Sequence, residues 1–288
     1  MPLYLLAILA LVQGITEFLP ISSSGHLGLT WIGFHWAGLV PAELEASSEL
    51  VLDIAVHLGT LGAVCLYCRR DLAAMAGAMM RPLAVRCSGN PMHWRPAARL
   101  CWLICLATLP ILAAGYLAGE ALPLLKGNLA LIGWTTLGFG LLLWIADRNG
   151  MTGRKAAQLK LHHALFLGLA QCLALVPGTS RSGIVMTAGR FLGMGRQDAA
   201  RFSMLMSIPT ILAAGLYAAM QLKEEESADL GIDAAIAAGL AFAAALLAIA
   251  LMMAWLRRAS FLPFVLYRVL LGGAILLSVY GGFLTGWA

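Results

Sequence analysis

Long apolar stretches alternate with short polar segments along almost the whole chain. Six of these stretches reach the length of roughly 20 apolar residues that a membrane-spanning helix needs. We predict spanning helices at about Leu50–Cys68, Ala98–Ala118, Asn128–Ala146, Arg201–Met220, Ile232–Leu256 and Leu262–Leu284. The pattern therefore predicts an all-α polytopic membrane protein with six transmembrane helices.

Two further apolar regions are each interrupted by a polar segment. Leu3–Val12 is too short to span a bilayer and leads into residues 13–25, after which apolar residues resume at about Leu27–Val40. Ala164–Val176 leads in the same way into residues 177–183, which read Pro-Gly-Thr-Ser-Arg-Ser-Gly. Broken backbone at membrane depth is tolerated only where it faces protein or a watery cavity. We therefore predict two re-entrant helix hairpins, with a single kinked spanning helix in each place as the alternative.

The distribution of basic residues favours the hairpins. With two hairpins and six spans, 14 of the 19 Lys and Arg residues fall on one side of the membrane and only two on the other. The remaining three, which lie within apolar segments, are Arg181, Arg190 and Arg268. The positive-inside rule makes the Arg-rich side cytoplasmic and puts both termini on the outer face. Residues 69–97 and 147–160 are thus predicted to be cytoplasmic, and residues 221–231 extracytoplasmic.

The composition supports this fold class. Only 11% of the residues are charged, whereas an average soluble domain is about one quarter charged. This excludes a cytosolic enzyme, a disordered chain and a nucleic-acid-binding domain, and the net charge of +5 reflects topology rather than a nucleic-acid partner. The six cysteines show no secreted disulfide pattern, and we expect them to behave mostly as small apolar residues.

The two interrupted regions also resemble each other. Residues 13–25 align without gaps on residues 171–183. The matching positions are Gln13 with Gln171, Ser22 with Ser180, Ser24 with Ser182 and Gly25 with Gly183. Each predicted hairpin is followed by three spans, so the second unit is inverted relative to the first. We predict one membrane domain built from inverted-topology repeats at about 1–146 and 161–288, with a binding site where the interruptions meet.

The polar segments carry groups that are unusual inside a membrane. A charge at the centre of a spanning helix costs on the order of 3 kcal/mol, so Glu17, His26 and Arg181 are candidate functional residues. Helix starts bind phosphate through free N–H groups, and Arg181 adds a planar pair of donors suited to phosphate oxygens. The candidate phosphate-binding residues are Ser22, Ser24, Gly25, Gly178, Thr179, Ser180, Ser182 and Gly183. Ordinary helix capping explains one serine in each segment but not all of them.

A hydroxyl and an imidazole lie close in the first segment. Ser23 and His26 are three residues apart and share one face of a helix that starts near Ser23. Such a pair can act as nucleophile and base, while Glu17 could orient His26 or take a proton itself. These groups predict a phosphate-handling site inside the bilayer, and hence an amphiphilic substrate with a phosphorylated head. For the other polar residues of the spans we expect structural roles: Asp53, His57 and Arg268.

Two motifs carry a family resemblance. Gln13-x-x-x-Glu17-Phe-Leu-Pro-x-Ser-Ser-x-Gly-His26 and Pro177-Gly-x-Ser180-Arg181-Ser182-Gly183 resemble the bacterial undecaprenyl-diphosphate phosphatases, also called bacitracin-resistance proteins. The resemblance implies hydrolysis of undecaprenyl diphosphate in the inner membrane, which recycles the lipid carrier of peptidoglycan synthesis and confers bacitracin resistance. It also implies that Glu17, Ser23, His26 and Arg181 are the catalytic residues, with Ser23, His26 or water as the nucleophile.

The resemblance further implies a divalent cation, Mg²⁺ or Ca²⁺. Because residue 13 is Gln, Glu17 is the only candidate metal ligand in the first motif. The expected partners are a polyprenyl diphosphate lipid and membrane lipids, and a homodimer is a candidate assembly. A flippase or transporter of a polyprenyl phosphate lipid is the alternative function, because inverted repeats with broken helices are a transporter architecture. Three of the catalytic candidates lie in the first hairpin, so we predict that the site opens to the periplasm.

Overall fold

The structure is a computed structural model that describes residues 1–40, 46–80, 96–119, 125, 127–150, 153–220 and 228–282. These residues form eleven α-helices: α1 (Leu3–Thr16), α2 (Ser23–Trp36), α3 (Ala46–Tyr67), α4 (Arg69–Met80), α5 (Pro96–Leu117), α6 (Leu129–Asn149), α7 (Leu161–Cys172), α8 (Arg181–Phe191), α9 (Arg196–Ala219), α10 (Ala228–Trp255) and α11 (Leu262–Tyr280). Short 3₁₀ helices cover Ala156–Gln158 and Leu173–Leu175.

Six helices are long and apolar enough to cross a membrane, namely α3, α5, α6, α9, α10 and α11. They coincide with the six predicted spans to within a few residues at each end. The prediction of an all-α membrane protein with six spans is therefore confirmed. One helix was not predicted: α4 continues from α3 into the polar connection, where its Asp71 forms an ion pair with Arg201 of α9.

Each interrupted region forms two short helices joined by a turn. The 14 residues of α1 measure about 21 Å at 1.5 Å per residue, less than the roughly 30 Å of a hydrocarbon core. The 12 residues of α7 are shorter still. The breaks at residues 17–22 and 173–180 therefore lie where the polar segments predict them.

Close packing at small residues fixes the positions of α1 and α7 along two spanning helices. Near the end of α1, a Cβ atom added to Gly14 would lie 2.6 Å from Ala244 Cβ of α10. Near the middle of α7, a Cβ added to Gly168 would lie 2.4 Å from the Ala107 carbonyl of α5. Ala244 and Ala107 are close to the midpoints of their helices, so the end of α1 and the middle of α7 lie beside the centres of spanning helices. The re-entrant hairpins and the inverted repeat stay predictions.

The two ends of the helix bundle carry different polar contacts. At one end, the amino group of Met1 pairs with Asp233 near the start of α10. At the other, Asp147 of α6 accepts hydrogen bonds from Arg190 at 3.2 Å and Arg196 at 2.7 Å. This basic end contains the described residues that are predicted to be cytoplasmic. Much of the predicted loops 69–97 and 221–231 lies outside the described residues.

Two tightly packed helix pairs enclose the turns. A Cβ on Gly59 of α3 would lie 2.1 Å from the Ala238 carbonyl of α10. A Cβ on Gly272 of α11 would lie 2.8 Å from the Gly133 carbonyl of α6. Without side chains at these positions the helix backbones approach closely, as is common in membrane bundles. The helices that contact the two turns are therefore themselves closely packed.

Candidate active site

Each turn ends on a serine whose backbone conformation is rare for residues other than glycine. Ser22 has a φ angle of 76° and Ser180 one of 71°, and no other non-glycine residue among those described has a positive φ. Each serine caps the helix that follows: Ser22 Oγ accepts from the Gly25 N–H at 3.4 Å, and Ser180 Oγ from the Gly183 N–H at 3.1 Å. The turns therefore match in conformation as well as in sequence. Unfavourable backbone conformations of this kind cluster at functional sites.

The carboxylate of Glu17, in the first turn, joins the predicted catalytic residues. Its Oε1 accepts a hydrogen bond from Arg181 Nη2 at 2.9 Å. Its Oε2 accepts one from Ser23 Oγ at 2.6 Å and one from Gln13 Nε2 at 2.9 Å. Glu17 is buried, and Arg181 is the first residue of α8, directly after the second turn. The structure thus brings Glu17, Ser23 and Arg181 together across the two interrupted regions.

His26 has different partners. Its Nδ1 lies 2.6 Å from the Ser22 carbonyl, to which it donates, and its Nε2 lies 2.5 Å from the Tyr267 hydroxyl. The rings of His26 and Tyr267 are stacked with their centroids 5.5 Å apart. The Ser23–His26 pair expected from their spacing is therefore not formed, because the first turn of α2 directs Ser23 towards Glu17 instead.

Arg268 of α11 holds the two turns together. Its Nη1 donates to the Pro20 carbonyl of the first turn at 3.3 Å. Its Nη2 donates to the carbonyls of Gly178 and Thr179 in the second turn, at 3.0 Å each, and its Nε donates to the Thr136 carbonyl of α6 at 3.0 Å. Arg268 is fully buried, and these contacts agree with the expected structural role.

The predicted phosphate-binding residues differ in how their hydroxyls are used. Ser182 Oγ donates to the Leu19 carbonyl at 2.8 Å and so links the second turn to the first. Ser24 is exposed, with its Oγ 3.4 Å from that of Ser22. Thr179 is fully buried, and within the described structure its hydroxyl has no hydrogen-bond partner. The capping serines and Ser182 already serve internal contacts, so phosphate binding by their hydroxyls stays a prediction.

The surroundings of Glu17 do not fit a resident divalent cation. Both carboxylate oxygens already accept hydrogen bonds, and one of the donors is a guanidinium. Within the described ranges, no group of three or more His, Cys, Asp or Glu side chains could hold a metal ion. The described cysteines are free thiols: Cys65, Cys68, Cys101, Cys105 and Cys172.

Two residues contribute to this site beyond those predicted. His57 Nε2 of α3 lies 3.9 Å from Glu17 Oε2. The Tyr267 hydroxyl of α11 lies 2.5 Å from His26 Nε2. The sequence contains a signal for His57, because an ionisable residue within an apolar span is a functional candidate by default. Asp53, one turn before His57, accepts a hydrogen bond from Trp31 Nε1 at 3.0 Å, in agreement with the structural role expected for it.

An apolar cavity of about 590 Å³ adjoins the site between α1, α10 and α11. It is lined by Leu11, Ile15, Leu19, Ala244, Leu247, Ala248, Leu251, Met252, Trp255, Pro263 and Phe264. Leu19 belongs both to this cavity and to the first turn, where its carbonyl accepts from Ser182. Phe264 is one helical turn before Arg268. The cavity therefore lies beside the first turn, and its apolar lining is suited to a hydrocarbon chain.

Comparisons with known proteins show which family the chain belongs to. The family model for bacitracin resistance protein BacA matches residues 6–274. Undecaprenyl-diphosphatase 1 of Rhodospirillum rubrum is 49% identical over 279 residues, covering 96% of this chain and 95% of the relative. The undecaprenyl-diphosphatases of Jannaschia sp. and Ruegeria pomeroyi are each 46% identical, over 97% of this chain and 100% of their own length. The chain belongs to the bacitracin resistance protein BacA family.

Proposed function

We propose that the protein hydrolyses undecaprenyl diphosphate to undecaprenyl phosphate and inorganic phosphate. Its family and the names of its near-full-length relatives support this activity. The observation that most directly supports this activity concerns the Glu17 carboxylate. It accepts hydrogen bonds from the Ser23 hydroxyl at 2.6 Å and from the Arg181 guanidinium at 2.9 Å. A hydroxyl bound to a base, beside a planar cation, is suited to attack on a phosphoryl group.

In this mechanism Ser23 is the nucleophile and Glu17 is its base. The hydroxyl proton passes to Glu17 Oε2 as Ser23 Oγ attacks the terminal phosphorus. The bond from that phosphorus to the bridging oxygen breaks, and undecaprenyl phosphate leaves with the electron pair. Arg181 stabilises the charge on the transferring phosphoryl oxygens. Water then hydrolyses the phosphoserine, and Ser23 regains its proton.

The remaining site residues position these groups. Arg268 fixes the turns relative to each other through carbonyls of both. The stacked pair of His26 and Tyr267 anchors the first turn of α2 against α11. The N–H groups at the starts of α2 and α8 add partial positive charge where the diphosphate binds.

A divalent cation, Mg²⁺ or Ca²⁺, would enter this site as part of the substrate complex. Such ions are commonly held by substrate phosphates with only one or two carboxylates. The described protein groups do not form a complete set of ligands for this ion, and the proposed steps at Ser23, Glu17 and Arg181 do not involve it.

The proposed cellular setting is the bacterial inner membrane, with the site open to the periplasm. Glu17, Ser23 and His26 all lie in the first interrupted region, whose start pairs with Asp233 at the end predicted to be outermost. The apolar cavity would hold the part of the prenyl tail nearest the diphosphate. The product would re-enter peptidoglycan synthesis, and its supply would confer bacitracin resistance. A homodimer stays a prediction, which cross-linking of the purified protein tests.

Release of phosphate by purified protein in detergent tests the activity, because a flippase has no transport to perform there. Wild-type protein should release phosphate from undecaprenyl diphosphate, and Ser23→Ala should abolish the release. Ser278→Ala, in the outer part of α11, is the matched control and should behave like wild type. Normal release by Ser23→Ala would exclude Ser23 as the nucleophile. Absence of release by wild type would favour the flippase.

A further inference from the structure

We infer that His57 is the general base for the water that completes each turnover. This inference rests on the proposed function and concerns its second step, in which the phosphoserine at residue 23 is hydrolysed. It begins with the hydrogen bond at the other ring nitrogen. His57 Nδ1 lies 2.6 Å from the Asp53 carbonyl, which can only accept, so Nδ1 carries a proton. In the neutral imidazole the lone pair is therefore on Nε2.

That lone pair faces the reacting groups. His57 Nε2 lies 3.9 Å from Glu17 Oε2, the same oxygen that accepts the Ser23 hydroxyl at 2.6 Å. A phosphoryl group on Ser23 Oγ would consequently lie next to His57. The side chain of His57 is 34% exposed, whereas that of Glu17 is 5% exposed. His57 is thus the more accessible of the two side chains, and we place the attacking water beside it.

Neither of the other two candidate bases is free for this step. Glu17 holds the proton that it took from Ser23 and must return it when Ser23 Oγ becomes the leaving group. His26 uses both ring nitrogens, one towards the Ser22 carbonyl and one towards the Tyr267 hydroxyl. His57 is thus the imidazole beside Glu17 whose Nε2 is available to accept a proton.

His57, Ser23 and Glu17 all take part in the second step. His57 Nε2 takes a proton from the water as the water oxygen attacks the phosphorus of the phosphoserine. The bond between phosphorus and Ser23 Oγ breaks, the electron pair stays on Oγ, and Oγ takes the proton held by Glu17. Inorganic phosphate departs and His57 releases its proton to water, so all three side chains return to their starting states.

His57→Ala tests this division of labour with undecaprenyl diphosphate labelled in its terminal phosphate. In a quenched-flow measurement we expect a burst of undecaprenyl phosphate equal to the amount of enzyme, with the label retained on Ser23. Steady-state phosphate release should fall about 10²-fold, the usual contribution of a general base. Added imidazole should restore turnover, since the position is partly open. His57→Gln should show the same burst, because its amide cannot act as a base.

His35→Ala is the control histidine variant. His35 is exposed at the end of α2, where it pairs with Glu49, and its replacement should leave the kinetics unchanged. Wild-type turnover by His57→Ala would overturn the inference while leaving the phosphatase activity in place. So would a loss of activity with neither a burst nor rescue by imidazole, because the defect would then precede the second step. Failure of wild-type protein to release phosphate would instead overturn the proposed function itself.

Discussion

At the scale of single residues, the guanidinium of Arg181 has two neighbours. Nη2 donates to Glu17 Oε1 at 2.9 Å, and Nη1 reaches the Ser203 carbonyl at 3.4 Å. The long second contact leaves Nη1 available to a phosphate oxygen. A lysine would keep the charge but lose the two-pronged geometry. Arg181 is therefore the cation whose shape, as well as charge, matters for the proposed reaction.

We expect Arg181→Lys to lower phosphate release by about 10²-fold, comparable to removal of a preorganised donor in other enzymes. Its thermal unfolding midpoint in detergent should stay close to that of wild type, because the buried charge is retained. Arg201→Lys is the matched control, since Arg201 pairs with Asp71 in a more exposed ion pair. Near-normal activity of Arg181→Lys would show that Arg181 is only a structural partner of Glu17.

The sequence predicts which residues form the site better than it predicts how they pair. Glu17 and Arg181 could be identified because a charge inside an apolar segment is costly and marks function. The pairing of Ser23 depends on how α2 leaves its turn, and helical spacing alone does not determine that. His57 and Tyr267 lie on other spans, and their approach to the turns depends on helix packing. A single sequence carries no direct signal for such contacts.

At the scale of elements, the second turn depends on a glycine that no other residue can replace without strain. Gly178 has a φ angle of +87°, and a Cβ atom there would lie 2.1 Å from Thr135 Oγ1. That hydroxyl donates to the Pro177 carbonyl at 2.6 Å, so it cannot move without loss of a hydrogen bond. The close approach of the turn to α6 therefore requires the absence of a side chain.

Gly178→Ala should lower both the thermal midpoint and phosphate release, because it combines a steric clash with a backbone conformation unfavourable for alanine. The control is Gly33→Ala in α2, where an added Cβ meets no atom within 4 Å. In a helix interior this control should stabilise slightly, since alanine is favoured over glycine by up to about 1 kcal/mol. Equal thermal midpoints for the two variants would contradict the clash.

Arg268 links three elements, so its replacement should differ from that of Arg181. Arg268→Lys keeps one charge but leaves several carbonyls of the turns without a donor, each costing about 1–3 kcal/mol when buried. We expect a clear drop in the thermal midpoint together with a loss of phosphate release. Heating curves followed by loss of soluble protein in detergent measure the first effect. An unchanged midpoint would mean that the turns are held by other contacts.

The elements themselves could largely be predicted. The six spans and both helix breaks follow from hydropathy and from the Pro, Gly and Ser residues of the interruptions. The helix α4 could not, because its 12 residues are too few and too polar to be identified as a span, and its contacts include the ion pair between Asp71 and Arg201. A segment that spans the hydrocarbon core must satisfy its backbone hydrogen bonds internally, which favours a helix. The polar connections are not constrained in this way, so their structure is harder to predict.

At the scale of the whole molecule, the topology depends on the sorting of basic residues. Lys155 lies in the connection between α6 and α7, at the end predicted to be cytoplasmic, and is exposed. Ala37 follows α2 at the predicted outer end and is also exposed. In a cysteine-free background, Ala37→Cys should react with an impermeant thiol reagent in intact cells, and Lys155→Cys only after lysis. The reverse pattern would invert the predicted orientation.

The apolar cavity offers a test of how the site selects its lipid. Ala248 of α10 lines the cavity, while Ala243 of the same helix is exposed and does not line it. A phenylalanine at position 248 would fill space next to Leu19 and Phe264, where we place the tail. Each methylene kept in an apolar environment contributes about 0.8 kcal/mol, so lost tail contacts should weaken substrate binding.

We therefore expect Ala248→Phe to raise the KM for undecaprenyl diphosphate about tenfold or more with little change in kcat. A short prenyl diphosphate that does not extend through the cavity should be hydrolysed by this variant as by wild type. Ala243→Phe should leave both substrates unaffected, which controls for bulk on α10. Equal losses with the long and short substrates would show that the substitution disturbs the Glu17 site directly. Unchanged KM values for both would place the tail on another path, between other helices of the bundle.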